Sequence, residues 1–341
     1  MAEKKYHWIK GIDSIRFFLA LIVLLSHFQD PFVKIFKASG FFPLHIFGVF
    51  INHLFCGVAA VIAFFVISGF VIHYPYRHKE RFSVGNFLLR RWLRIGIPLI
   101  VVGGIANYFH YFEKIPIWSL YCELIYYTLY PVLFKIKISW KWKVYLSFFV
   151  SSVAILLLNK DNLLSLYYQK DLNYNINYWH LGVSVTWLVG LPCWLLGVLL
   201  ADNIDKLSYS VSTATIYAYR LLVYASSMVI LALAAHWFVS CILSLNIFAL
   251  LLYVWLEKEI IYHRTYEPVR LFEYFGKFSY SLYICHELCF LIIAAFLPYN
   301  QYTYVAYIVL TIAMAYVVYL LVEYPSHRLA QKIGTYSRRK E

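Results

Sequence analysis

Residues 56–74 read Cys56-Gly57-Val58-Ala59-Ala60-Val61-Ile62-Ala63-Phe64-Phe65-Val66-Ile67-Ser68-Gly69-Phe70-Val71-Ile72-His73-Tyr74. The run carries no Asp, Glu, Lys or Arg, and it lacks the alternation of a strand. An apolar segment of this length crosses the hydrocarbon core as a helix. Comparable stretches recur near 12–29, 95–112, 118–136, 142–158, 181–200, 213–233, 236–256, 278–297 and 303–322. The expected fold is therefore all-α and integral to the membrane, with about ten transmembrane helices. Composition agrees, because 62% of the residues are apolar and 14% are charged. A soluble domain carries about 25% charged residues to cover its surface. Mean hydropathy is +0.66. Aromatics reach 20% and suit interfacial belts and cavity walls.

The net charge of +13 would suit nucleic acid, but its distribution points elsewhere. With the N-terminus inside, the outer segments hold only Lys34, Lys37, Lys114, Lys160 and Lys170. Arg16 lies in the first span, and the remaining lysines and arginines fall on the inner side. That asymmetry predicts both termini in the cytoplasm, with anionic lipid headgroups as secondary partners and no nucleic acid. No linker or repeat divides residues 1–341, so one polytopic domain is expected, with no appended soluble domain. No A-x-A-like site follows Phe28, so the first span is read as retained. Arg220 makes the span at 213–233 the least regular. The longest outer loop, 159–180, is rich in Tyr and Asn and is the expected lid or acceptor-facing element. Cys56, Cys122, Cys193, Cys241, Cys285 and Cys289 show neither metal spacing nor a disulfide framework and read as packing residues. No metal site is expected.

Ionisable groups inside a membrane are costly and usually face a cavity. The first span carries Asp13, Arg16, Ser26 and His27. Arg16 and His27 share a helix face, separated along the axis by roughly 16 Å. That spacing suits a long ligand with a charged inner end and a reactive outer end. The plainer readings are an interfacial histidine and a snorkelling arginine paired with Asp13. Glu123, counted from Trp118, falls at a depth comparable to His27 and is expected to orient it as an acid/base pair. The alternative is a structural carboxylate bonded to a Tyr or Trp. His286 and Glu287 count as lying nearer the middle and inner half of their span. His73 and Glu323 lie near inner span ends, and Glu323 with Arg328 reads as an anchor for the last helix. Arg90-Arg91-Trp92-Leu93-Arg94 forms an inner loop whose guanidiniums could grip phosphates or simply mark the inner side. Gly69 in Ser68-Gly69-Phe70 permits close approach of a ligand or helix.

Together these segments resemble the integral-membrane acyltransferase-3 family, bacterial enzymes that acylate surface polysaccharides and related glycans. The resemblance rests on Gly11-Ile12-Asp13-Ser14-Ile15-Arg16 with Ser26-His27, and on Phe64-Phe65-Val66-Ile67-Ser68-Gly69-Phe70. It continues through Arg91-Trp92-Leu93-Arg94 and Trp118-Ser119-Leu120-Tyr121-Cys122-Glu123 with Tyr126 and Pro131. It closes with Gly276-Lys277-Phe278-Ser279-Tyr280-Ser281-Leu282-Tyr283 and His286, then Glu323-Tyr324-Pro325. The chain departs from the pattern at Ala59-Ala60 and at Leu124, where polar or acidic residues are usual.

The resemblance implies a cytoplasmic acyl-CoA donor, acetyl-CoA first, and a hydroxyl acceptor on a carbohydrate or glycolipid. It implies no permanently bound cofactor and a place in the bacterial inner membrane. His27 and Glu123 would be catalytic, and Arg16, Arg91 and Arg94 would hold the donor. Asp13, Ser68, Ser119, Tyr280 and His286 would support them. Direct attack by the hydroxyl and relay through an acyl-histidine both remain open. A homo-oligomer is compatible with the sequence. The rival reading is a transporter or flippase of a glycan or small metabolite, which buried His, Arg and Glu would also suit. No inverted repeat or paired helix break supports it. A purely structural polysaccharide-assembly subunit leaves the polar residues without a role.

Overall fold

The computed structural model describes residues 9–28, 30–80, 82–112, 117–158, 182–236 and 241–338. The loop 159–180, expected as a lid, lies outside them, as do Lys4, Lys5, Lys114, Lys160 and Lys170. Among the described residues every regular element is helical. In chain order they are α1 (Ile12–His27), α2 (Pro31–Lys37), α3 (Phe42–Ile51), α4 (Gly57–His73), α5 (Val84–Tyr108) and α6 (Ile117–Lys135). Next come α7 (Trp140–Leu158), α8 (Val183–Asn203), α9 (Thr213–His236), α10 (Cys241–Thr265), α11 (Arg270–Gly276) and α12 (Ser279–Ala294). Last are α13 (Tyr304–Val318), a π-helical turn (Tyr319–Glu323) and α14 (Tyr324–Arg338).

Each apolar stretch named from sequence overlaps a helix among the described residues, but length and composition do not confirm ten spans. Among the described residues, five segments are long and apolar enough to cross a membrane: Gly57–Tyr76, Trp140–Leu158, Ser184–Lys206, Thr213–Leu233 and Tyr304–Ile333. The number rises to 7 if the bent pairs α1 with α2 and α11 with α12 each count as one span. The helices α5, α6 and α10 carry charged residues along their length. Arg90, Arg91 and Arg94 lie on α5, Glu123 sits among the tyrosines of α6, and α10 carries Glu257, Lys258 and Glu259. The arginine cluster read as an inner loop is thus helical, because α5 starts at Val84, well before the apolar run begins. The segment after Glu323 is helical too, and α14 packs on α5.

The chain divides into two compact units, Met1–Arg16 with Val61–Arg81 and Phe134–Gly276, and Phe17–Ala60 with Phe82–Leu133 and Lys277–Glu341. In the first, α8 packs on α7 and α10, and α10 on α9. Buried Asn246 ties three of these helices together: its Nδ2 donates to Ser151 Oγ at 3.0 Å and to the Val189 carbonyl at 3.2 Å. Interhelical bonds of this kind are the usual polar glue of membrane bundles. Arg220, the irregular residue of its span, sits within α9 and pairs bidentately with buried Glu259 at 2.6 and 2.9 Å. A paired carboxylate avoids the cost of an isolated buried charge. His73 is buried, edge-on to Trp140 and 3.6 Å from Asp202.

The close approach that Gly69 permits is to a helix. A Cβ on Gly69 would strike the Trp194 carbonyl, and one on Gly197 would strike that of Val66. The backbones of α4 and α8 therefore meet through small residues, as membrane helices do where packing alone drives association. Ser68 shares this seam, accepting a hydrogen bond from Trp194 Nε1 at 3.3 Å. Gly69→Val and Gly197→Val should each lower stability by about 1–3 kcal/mol through overpacking. Thermal unfolding in detergent reads this directly; an unchanged midpoint in both variants contradicts the seam.

In the second unit α12 packs on α5 and α13, and α2 on α3. The π-helical turn buries Glu323, which accepts from Ser281 N at 3.1 Å and from Ser281 Oγ at 2.6 Å. Glu323 thereby tethers the first turn of α12. Arg328, read from sequence as its companion, places its guanidinium over the Tyr324 ring.

Candidate active site

The second unit gathers most of the singled-out residues around α12. Tyr280, Tyr283 and Glu287 recur at i, i+3 and i+7 and so line one helix face. Near the start of α12, the Tyr280 hydroxyl donates to the Ile95 carbonyl of α5 at 2.9 Å. One turn on, the Tyr283 hydroxyl shares a 2.5 Å hydrogen bond with Ser119 of α6. Glu123, one turn beyond Ser119, accepts from the Tyr127 hydroxyl and lies within electrostatic reach of Tyr280 and Tyr283. Arg91 stands over the Tyr127 and Phe87 rings at 5.9 Å from each centroid. Arg94 is the cation within electrostatic reach of Tyr280. Ser119, Glu123, Arg91, Arg94 and Tyr280 thus belong to one polar region.

His27, at the end of α1, meets α12 one turn further along. Its Nδ1 lies 2.5 Å from Glu287 Oε1. The expected partner, Glu123, is therefore replaced by Glu287. The depth count failed because it measured each helix from its apolar boundary. Register is set instead by where helices touch, and α12 brings Glu287 level with His27. An ionised carboxylate on Nδ1 holds the proton there and leaves Nε2 with its lone pair, the arrangement a general base requires. His27 is 36% exposed at its side chain and Glu287 16%, so the pair opens at one side. Tyr111 is also within electrostatic reach of Glu287.

His286 stands beside this pair, its ring edge-on to His27 with centroids 4.8 Å apart. Its Nδ1 lies 2.7 Å from the Tyr283 carbonyl. A carbonyl only accepts, so Nδ1 carries the proton and Nε2 presents a lone pair. That Nε2 is buried and has no hydrogen-bond partner among the described residues. Behind His27 an aromatic cluster fixes the helix end. Phe28 packs edge-on to Phe290 at 5.0 Å, and Tyr299 meets Phe290 at 5.1 Å and Tyr307 at 4.9 Å. Burial pushes the Tyr299 phenol up, so it stays neutral there.

A family profile described as an acyltransferase domain, acyltransferase-3, matches residues 9–322. The chain belongs to the acyltransferase-3 family. No curated protein and no solved structure matches it. This membrane acyltransferase therefore places its first-helix histidine beside a carboxylate and a second histidine. The remaining expected site residues of the acyltransferase lie in the first unit. There Asp13 is buried, and Arg16 Nη1 lies 3.4 Å from its Oδ1. Ser14, through N and Oγ, donates to Glu273 at 2.9 and 2.6 Å, which holds the start of α1. Ser68 belongs to the α4–α8 seam described above. Sequence reasoning missed Glu287 as the partner of His27, although its spacing from Tyr280 and Tyr283 was the available signal.

Proposed function

We propose that the chain transfers an acyl group, most simply acetyl, from cytoplasmic acyl-CoA to a hydroxyl of a glycan or glycolipid in the bacterial inner membrane. The supporting observation is the 2.5 Å His27–Glu287 pair within a membrane acyltransferase. His27 Nε2 takes the proton of the acceptor hydroxyl as its oxygen attacks the thioester carbonyl carbon. Glu287 keeps Nδ1–H oriented and stabilises the imidazolium that forms. The tetrahedral intermediate then breaks its carbon–sulfur bond, and the leaving thiolate recovers the proton from His27. Arg91 and Arg94 are assigned to the phosphates of the donor, where guanidinium forks outperform single cations. Positive-inside charge supports cytoplasmic termini and a donor drawn from that side.

Inverted membrane vesicles containing the protein test the reading with acetyl-CoA labelled in the acetyl group. Label should appear in an alkali-labile ester of the glycan or glycolipid fraction, and Arg91→Ala should raise the KM for acetyl-CoA about tenfold or more. Folded protein that yields no esterified label from acetyl-CoA contradicts the proposal.

A further inference from the structure

The geometry points to a divalent transition-metal site, Zn2+ foremost, built by His27, His286 and Glu287, whose occupancy blocks the reaction centre. The three side chains each offer one ligand atom, and these atoms lie within 4.8 Å of one another. Tetrahedral zinc with bonds near 2.0–2.1 Å spaces its ligands roughly 3.3 Å apart, so side-chain shifts of about 1 Å complete the set. Two imidazoles and a carboxylate suit Zn2+ and its transition-metal neighbours, whereas Mg2+ and Ca2+ prefer all-oxygen shells.

The tautomer of His286 argues for the same ligand. Metal-bound histidines characteristically donate their other ring N–H to a carbonyl or carboxylate, which aims the lone pair at the ion. His286 is already tied in that way, through Nδ1 to the Tyr283 carbonyl. The orphaned Nε2 of His286 is the independent sign, because a fully buried lone pair without a donor is costly unless something binds it. Acceptor substrate would reach this cluster from the exposed side of His27. A cation entering by the same side takes Nδ1 of His27 together with the Glu287 carboxylate, so the ring proton sits on Nε2 and the lone pair that would receive the substrate proton is lost.

Sequence spacing gave no warning, since His27 and Glu287 are 260 residues apart. The blocking role rests on His27 acting as the base, as proposed above; the binding itself does not. Tag-free, chelator-treated protein in detergent is titrated calorimetrically with ZnCl2 and, separately, with MgCl2. Wild type should bind one Zn2+ per chain and no Mg2+. His286→Ala and Glu287→Gln, checked for an unchanged melting transition, should bind Zn2+ about 100-fold more weakly. Co2+ added to wild type should give the intense visible bands of a tetrahedral ion, a readout that needs no variant. Absence of Zn2+ binding at millimolar concentration, octahedral Co2+ bands, or undiminished binding in both variants overturns the site. In the transfer assay, activity should fall with Zn2+ occupancy and return on chelation. Transfer that persists at full occupancy, or that chelation abolishes, overturns the blocking role while leaving the binding result standing.

Discussion

His27→Ala is expected to lower the rate of acyl transfer by about 10²–10⁴-fold, the usual contribution of a positioned general base. Donor affinity should hardly change, because His27 is assigned to the proton of the acceptor and not to the donor's phosphates. Folding should survive the change as well. The imidazole is partly exposed, and the end of α1 is held by Phe28 within its aromatic cluster rather than by His27. Single-turnover transfer from labelled acetyl-CoA measures the loss, and an equilibrium binding isotherm measures donor affinity. If both fall together, His27 belongs to the donor site. If neither moves, the assignment of His27 as base is wrong.

Glu287→Gln should be the second most damaging change, reducing kcat by about 10–100-fold with little effect on the KM for donor. The amide oxygen of glutamine can still accept from Nδ1–H, so part of the orientation survives. It carries no charge, so the imidazolium formed during proton transfer loses its counter-ion. Glu123→Gln supplies the contrast. Its carboxylate accepts from Tyr127 and influences α12 through Tyr280 and Tyr283, so its effect should be the milder of the two. A reversed order, with Glu123→Gln crippling and Glu287→Gln nearly silent, would restore the pairing read from sequence. Residues acting as one unit are non-additive. The double variant His27→Ala/Glu287→Gln should therefore be no slower than His27→Ala alone.

Helix positions were legible because apolar runs report contact with lipid. The stretches at 118–136, 142–158 and 213–233 agree closely with α6, α7 and α9. Hydropathy does not report where a helix begins once its polar end leaves the hydrocarbon. Arg90, Arg91 and Arg94 were assigned to a loop for that reason, and the helices α2, α3, α11 and α14 were not foreseen. It is equally blind to register between helices distant in sequence. Residues Asp13, Arg16, His27, Glu123 and His286 stood out because ionisable groups are rare in such segments. Which carboxylate would meet His27 depended on packing. Ser68 illustrates the same limit: its motif was visible, but its place against Trp194 was not.

The most direct test is a single-turnover experiment on detergent-purified protein already loaded with labelled acetyl-CoA, to which membrane-extracted acceptor is added. The wild type should release CoA and form an alkali-labile acetyl ester, whereas His27→Ala should hold acetyl-CoA with undiminished affinity and release almost no CoA. Release of CoA by His27→Ala at the wild-type rate, with ester formed, would contradict the account.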